Sequence, residues 1–195
     1  MKRIALVLAP GFDEQEASSF VALAGWVRTS ESLEPLQVEI LAVEREVAGA
    51  HGMTVRATKR LAEAEPRGFA AVVVPGGFHE KGFSHVCDPP MLEFLRSAEA
   101  AGTVLVATST GARALAAAGL LVGRRATTYP FEDGRHRAYL AECGALLSDG
   151  PVEHDGAVLT GTSPAAAMDT AFELLRALEG DRAVATVRRA MGFRP

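Results

Sequence analysis

Cysteine and aromatic side chains are scarce in this 195-residue chain, which has two cysteines, one tryptophan and two tyrosines. Cys87 and Cys143 show neither a CxxC pair nor metal-ligand spacing. A disulfide framework and a cysteine-bound metal centre are therefore not expected, and a reducing cytoplasm is the expected setting. No apolar run approaches the roughly 20 residues that span a bilayer. Charge of one sign is not concentrated anywhere, and the net charge is only -4. That balance suggests neither a nucleic-acid partner nor an anionic membrane. No glycine-rich phosphate loop follows the first apolar run, and no repeat, linker or low-complexity segment occurs.

What is present is an ordinary globular composition, 48% hydrophobic and 23% charged, in a chain long enough for a full core. Residues 1–195 read as one domain. Met1 to Ala9 resembles a secretion signal only briefly, because Pro10-Gly11 follow at once, so it reads as a first strand. Ile4 to Ala9 is continuously apolar, as expected of a strand covered on both faces. Asp13, Glu14 and Glu16 then open a helix whose apolar residues include Phe20, Leu23 and Val27, and early acids suit a helix dipole.

Val38 to Val43 reads as a second strand and Ala48 to Val55 as a short hairpin or excursion. Ala70 to Val74 is a buried strand ended by Pro75-Gly76-Gly77. Pro89-Pro90 open a helix through Leu95. Val104 to Thr108 is another buried strand, followed by the turn Ser109-Thr110-Gly111 and an alanine-rich helix that Gly119 stops. Downstream, the pattern predicts a strand at 125–129, a helix at 131–142, and short strands at 145–147, 152–153 and 157–160. Ser163 is placed to cap a helix through Leu175, with a last helix from Arg182 to Met191. Strands alternating with helices define an α/β doubly wound fold with a mainly parallel sheet. Ligands in such folds sit beyond the carboxyl ends of the strands.

Three post-strand loops converge on one edge in that fold: Gly11–Glu16, Gly76–His79 and Ser109–Gly111. Ser109 stands at the strand-to-helix turn, where free N–H groups favour a nucleophile or an oxyanion.

In chain order, Ala9-Pro10-Gly11-Phe12-Asp13-Glu14-Gln15-Glu16-Ala17, Val72-Val73-Val74-Pro75-Gly76-Gly77 and Ala107-Thr108-Ser109-Thr110-Gly111 resemble the motifs of the DJ-1/PfpI (ThiJ) superfamily. So do Ala118-Gly119-Leu120-Leu121, Ala126-Thr127-Thr128 and Asp155-Gly156-Ala157-Val158-Leu159-Thr160. The resemblance spans nearly the whole chain. It implies a flavodoxin-like sandwich of helices around the sheet, and commonly a homodimer. It also implies a site built from an elbow cysteine, a glutamate of the first loop and often a histidine after the Thr-Thr pair.

Glu16 matches the glutamate. Ser109 stands in the cysteine's place and Tyr129 in the histidine's. The backbone of Gly76, Gly77 and Thr110 is expected to supply oxyanion donors.

The substitution at Ser109 matters chemically. A thiol of pKa about 8.5 is easily made a thiolate, whereas a serine hydroxyl needs a base against it. Glu16 is that base if ionised, and burial works the other way. Tyr129 lines a pocket rather than acting as a base, its reference pKa being about 10. The expected function is therefore small-molecule binding, or a stress-related role, without cysteine-dependent catalysis. The alternative is a serine-dependent hydrolase or hydratase using Ser109 and Glu16. An α/β-hydrolase elbow fits less well, since Ala107 replaces the first glycine of Gly-x-Ser-x-Gly.

No metal and no cofactor are called for, as His51, His85 and His136 lack metal spacing. His79 reads as a surface-loop histidine and His154 as a hairpin-tip residue. Arg113, one turn past Ser109, is in reach of an anionic ligand, although a solvated arginine is the commoner use. Cys87 and Cys143 read as inert thiols.

Overall fold

Strand β1 (Lys2–Leu8) runs through the middle of a seven-stranded sheet, and its residues from Ile4 onward are buried. The structure is a computed structural model that describes residues 1–131 and 133–193. Its elements follow in chain order. Helix α1 (Glu14–Val27) leads to β2 (Leu36–Ala42), then to a small hairpin of β3 (Glu46–Ala48) and β4 (Thr54–Arg56), and back to the main sheet at β5 (Lys59–Arg60). Next come β6 (Ala71–Val74), α2 (Pro89–Ala100), β7 (Val104–Thr108) and α3 (Ala112–Ala117). The chain closes with β8 (Arg125–Ala126), α4 (Arg135–Glu142), β9 (Leu146–Leu147), β10 (Val152–Asp155), β11 (Val158–Gly161), α5 (Ala167–Glu179) and α6 (Asp181–Ala190).

The main sheet has the order β10-β11-β7-β6-β1-β2-β5. All its pairings are parallel except β10 with β11. Helices α1, α5 and α6 pack together, and α2, α3 and α4 form a second group. Both faces of the central strands are thereby covered, which is why β6 reads Ala-Val-Val-Val with every residue buried. This is the doubly wound, mainly parallel α/β fold expected from the alternation of strands and helices, in the flavodoxin-like sandwich that the resemblance implies.

Four local expectations change. The strand expected at 125–129 stops at Ala126, because the next two residues are used elsewhere. The Thr127 N–H donates to Thr160 Oγ1 at 2.9 Å, and the Thr128 hydroxyl donates to the Ser109 carbonyl at 2.7 Å. The helix expected at 131–142 starts only at Arg135, after Asp133 and Gly134 with left-handed φ of 58° and 72°. Glu132 lies outside the described residues. Ser163 makes no side-chain capping bond; Pro164–Ala166 form a 3-10 turn ahead of α5. The short strand at 152–153 extends to Asp155, where it pairs with β11.

Candidate functional site

Three strand ends deliver the site. β7 ends at Thr108, and Ser109–Gly111 form one 3-10 turn before α3. Ser109 has φ 52°, a left-handed conformation that a non-glycine residue adopts at a cost of about 1–2 kcal/mol. The Thr128 hydroxyl holds its carbonyl. Gly111 lets the turn close on the neighbouring strand, since a Cβ there would stand 2.4 Å from the Val74 carbonyl oxygen. The hydroxyl of Ser109 is thus presented at the sheet edge by a backbone that is strained and clamped.

Helix α1 supplies Glu16. Asp13 caps that helix, accepting the Glu16 N–H at 3.0 Å. Glu16 is almost wholly buried. Its Oε2 accepts the Gly76 N–H at 2.6 Å and the Thr108 hydroxyl. Burial pushes the carboxyl up to about 7, with Asp13 adding in the same direction, against the hydrogen bonds of Thr108, Gly76 and Ser109. Because two donors point at Oε2, the proton of the neutral acid belongs on Oε1.

The Gly76 and Gly77 amides are engaged by the protein. The Gly76 N–H is bonded to Glu16, and the Gly77 N–H donates to Thr110 Oγ1 at 2.9 Å. That hydroxyl in turn donates to the Gly77 carbonyl at 2.9 Å. In this structure the two glycine amides hold the glutamate and the elbow threonine in place. Gly76 must be a glycine, since a Cβ would stand 2.8 Å from Ser109 Cβ and 2.9 Å from Glu16 Oε2.

A cavity of about 400 Å³ opens beside these groups. Glu16, Gly77, Ser109, Thr110 and Tyr129, all candidates from the sequence, line it, and Gly76 lies directly behind through its bond to Glu16. His79 is exposed at the rim.

Arg113, in reach of a ligand by sequence, lines the cavity too, as do Cys87 and His136, which the sequence left outside the site. Arg113 is half-buried, its guanidinium carbon 4.0 Å from the Tyr139 ring centroid. Cys87 faces the same cavity, its thiol pushed up chiefly by burial, with Arg113 opposing. His136, buried on α4, lies with its ring centroid 6.1 Å from that of Tyr129. Metal spacing was the wrong signal for His136, because α4 brings it in from far downstream of the elbow. Among the described residues no group of three or more His, Cys, Asp or Glu is placed to hold a metal.

The fold and the site define a class: a flavodoxin-like α/β sandwich with a buried glutamate under a strand-to-helix elbow. The chain belongs to the DJ-1/PfpI family, whose model matches residues 2–177. An uncharacterised protein of Methanocaldococcus jannaschii is 28% identical over 145 residues, 74% of this chain and 69% of that protein. The isonitrile hydratase of Pseudomonas putida is 33% identical over 127 residues, 64% of this chain and about half (52%) of the hydratase. Among solved structures, a cysteine-to-alanine mutant of a DJ-1 superfamily protein from Salmonella typhimurium superposes with a TM-score of 0.83 at 28% identity, covering 100% of both chains. Drosophila melanogaster DJ-1beta gives 0.85 at 22% identity, covering 100% of this chain and 99% of that one. No helix among the described residues is long and apolar enough to cross a membrane.

Proposed function

We propose that this protein binds a small molecule in the elbow cavity and does not carry out cysteine-dependent catalysis. One observation carries the reading. The elbow presents a hydroxyl, and the Gly76 and Gly77 amides are bonded to Glu16 and Thr110. An oxyanion needs donors already aimed at it, and these two are aimed elsewhere. The cavity volume of about 400 Å³ lies within the usual range for small-molecule sites, roughly 300–1,000 Å³. Residues 1–195 act as one domain in this reading. The free Cys87 and Cys143 fit a reducing, cytoplasmic setting. Exposed Val21 and Trp26 on α1 suit a homodimer contact.

A second reading is favoured by Glu16 itself. A carboxyl held at about 7 is matched to proton transfer at neutral pH. Its ionised fraction accepts a proton from the Ser109 hydroxyl, which supports a serine-dependent hydrolase or hydratase using Ser109, the class suggested by the isonitrile hydratase among the relatives.

A fragment screen by thermal shift tests the first reading, with Ser84→Trp as a variant that fills the exposed mouth of the cavity. Hits lost in that variant are expected. A fluorophosphonate probe tests the second: the chain is expected to stay unlabelled, and labelling that Ser109→Ala abolishes establishes the serine enzyme instead.

A further inference from the structure

We infer that the elbow cavity takes a small monocarboxylate, with its carboxylate on Arg113, its uncharged polar end at Ser109 and its apolar body against Phe78, Phe83 and Tyr129. The inference rests on the small-molecule reading above and names the ligand class.

Arg113 is the anchor. Its side chain lines the cavity and is steered by the face of Tyr139. Other arginines of the chain sit on carboxylates: Arg124 on Glu99, Arg137 on Asp149, and Arg176 on Glu173 and Asp181. Arg113 has no hydrogen-bonding or carboxylate partner among the described residues. A half-buried guanidinium therefore keeps its fork of donors free inside a cavity, and that fork matches a carboxylate bidentately.

The cavity's own acids do not fill this role. Glu16 is tied to Gly76 and Thr108. Asp13 caps α1 and faces His51 at 3.6 Å, and Glu80 lies exposed on the rim. Cys87, the nearby thiol, is kept in its neutral form by burial, so it does not neutralise Arg113. Arg113 lies four positions past Ser109, a rise of roughly 6–8 Å across the 3-10 turn and the start of α3. One short molecule bridges that distance. Phe78, Phe83 and Tyr129 supply the apolar walls.

The test is calorimetric titration of the full chain with 4-hydroxybenzoate, 4-hydroxyphenylacetate and 3-(4-hydroxyphenyl)propionate, each against its own carboxamide. At least one acid is expected to bind about tenfold or more tighter than its amide, the scale of a charge-assisted bond. Arg113→Gln is expected to erase that preference, so that acid and amide bind alike, and retained binding of the amide reports an intact cavity. Arg113→Lys is expected to keep part of it. Amides that bind wild type as tightly as the acids overturn the carboxylate assignment and leave the small-molecule reading standing. So does an acid preference that persists in Arg113→Gln. Binding of neither series overturns the assignment, and a silent fragment screen beside it removes the small-molecule reading as well.

Discussion

The backbone N–H of Gly76 donates to Glu16 Oε2 at 2.6 Å across 60 residues of sequence. This single bond joins the first-loop helix to the loop after β6, and it explains two features together. It engages an amide that the sequence offered as an oxyanion donor. Together with the Thr108 hydroxyl, it also fixes which carboxylate oxygen carries the proton. The site's chemistry is therefore set by how the loops satisfy one another.

Stability depends on pH through Glu16. The native carboxyl titrates at about 7, against 4.5 for the unconstrained group. Between those values the native state holds a proton that the unfolded chain has lost. Stability is therefore fully present at low pH and falls as pH rises through that window, levelling above about 7, by about 3 kcal/mol in all. Urea unfolding from pH 4.5 to 8 measures it, and Glu16→Gln is expected to flatten the profile. A profile for Glu16→Gln as steep as wild type refutes the assignment.

Thr108→Val removes a donor that favours the ionised carboxylate. The Glu16 midpoint is then expected to move above about 7, and the pH window for lost stability to widen upward. Carboxyl-carbon NMR of labelled Glu16 reads the midpoint directly, and an unmoved or lower value contradicts the role given to Thr108.

Ser109→Gly removes the cost of a left-handed serine at φ 52°. The variant is expected to gain about 1 kcal/mol, or roughly 2–4 °C in Tm for a chain of this size, while losing the hydroxyl. A Tm equal to or below that of wild type shows that the elbow is not strained.

Ser109→Cys, made with Cys87 and Cys143 replaced by serine, puts a thiol in the 3-10 turn ahead of α3 and against Glu16. It is expected to react with iodoacetamide at pH 7 faster than Cys87 does in the wild-type chain, where burial holds that thiol up. Alkylation rates followed by intact mass decide it, and a rate no faster than that of Cys87 counts against a poised elbow.

The parallel strands, the elbow, the Pro-Gly-Gly loop and the glutamate opening α1 were all legible in the sequence. Each is a short-range pattern, since buried strands are continuous apolar runs and turns need glycine or proline within a few residues. Serine rather than cysteine at 109 was equally plain. Only the tertiary structure decided which acceptors take the Gly76 and Gly77 amides, where the Glu16 proton belongs, and that Arg113, Cys87 and His136 share one cavity with Ser109. The Thr108–Glu16 bond closes over 92 residues of chain. No local periodicity encodes such a contact, because it follows from how the sheet order and the covering helices bring distant loops to one edge.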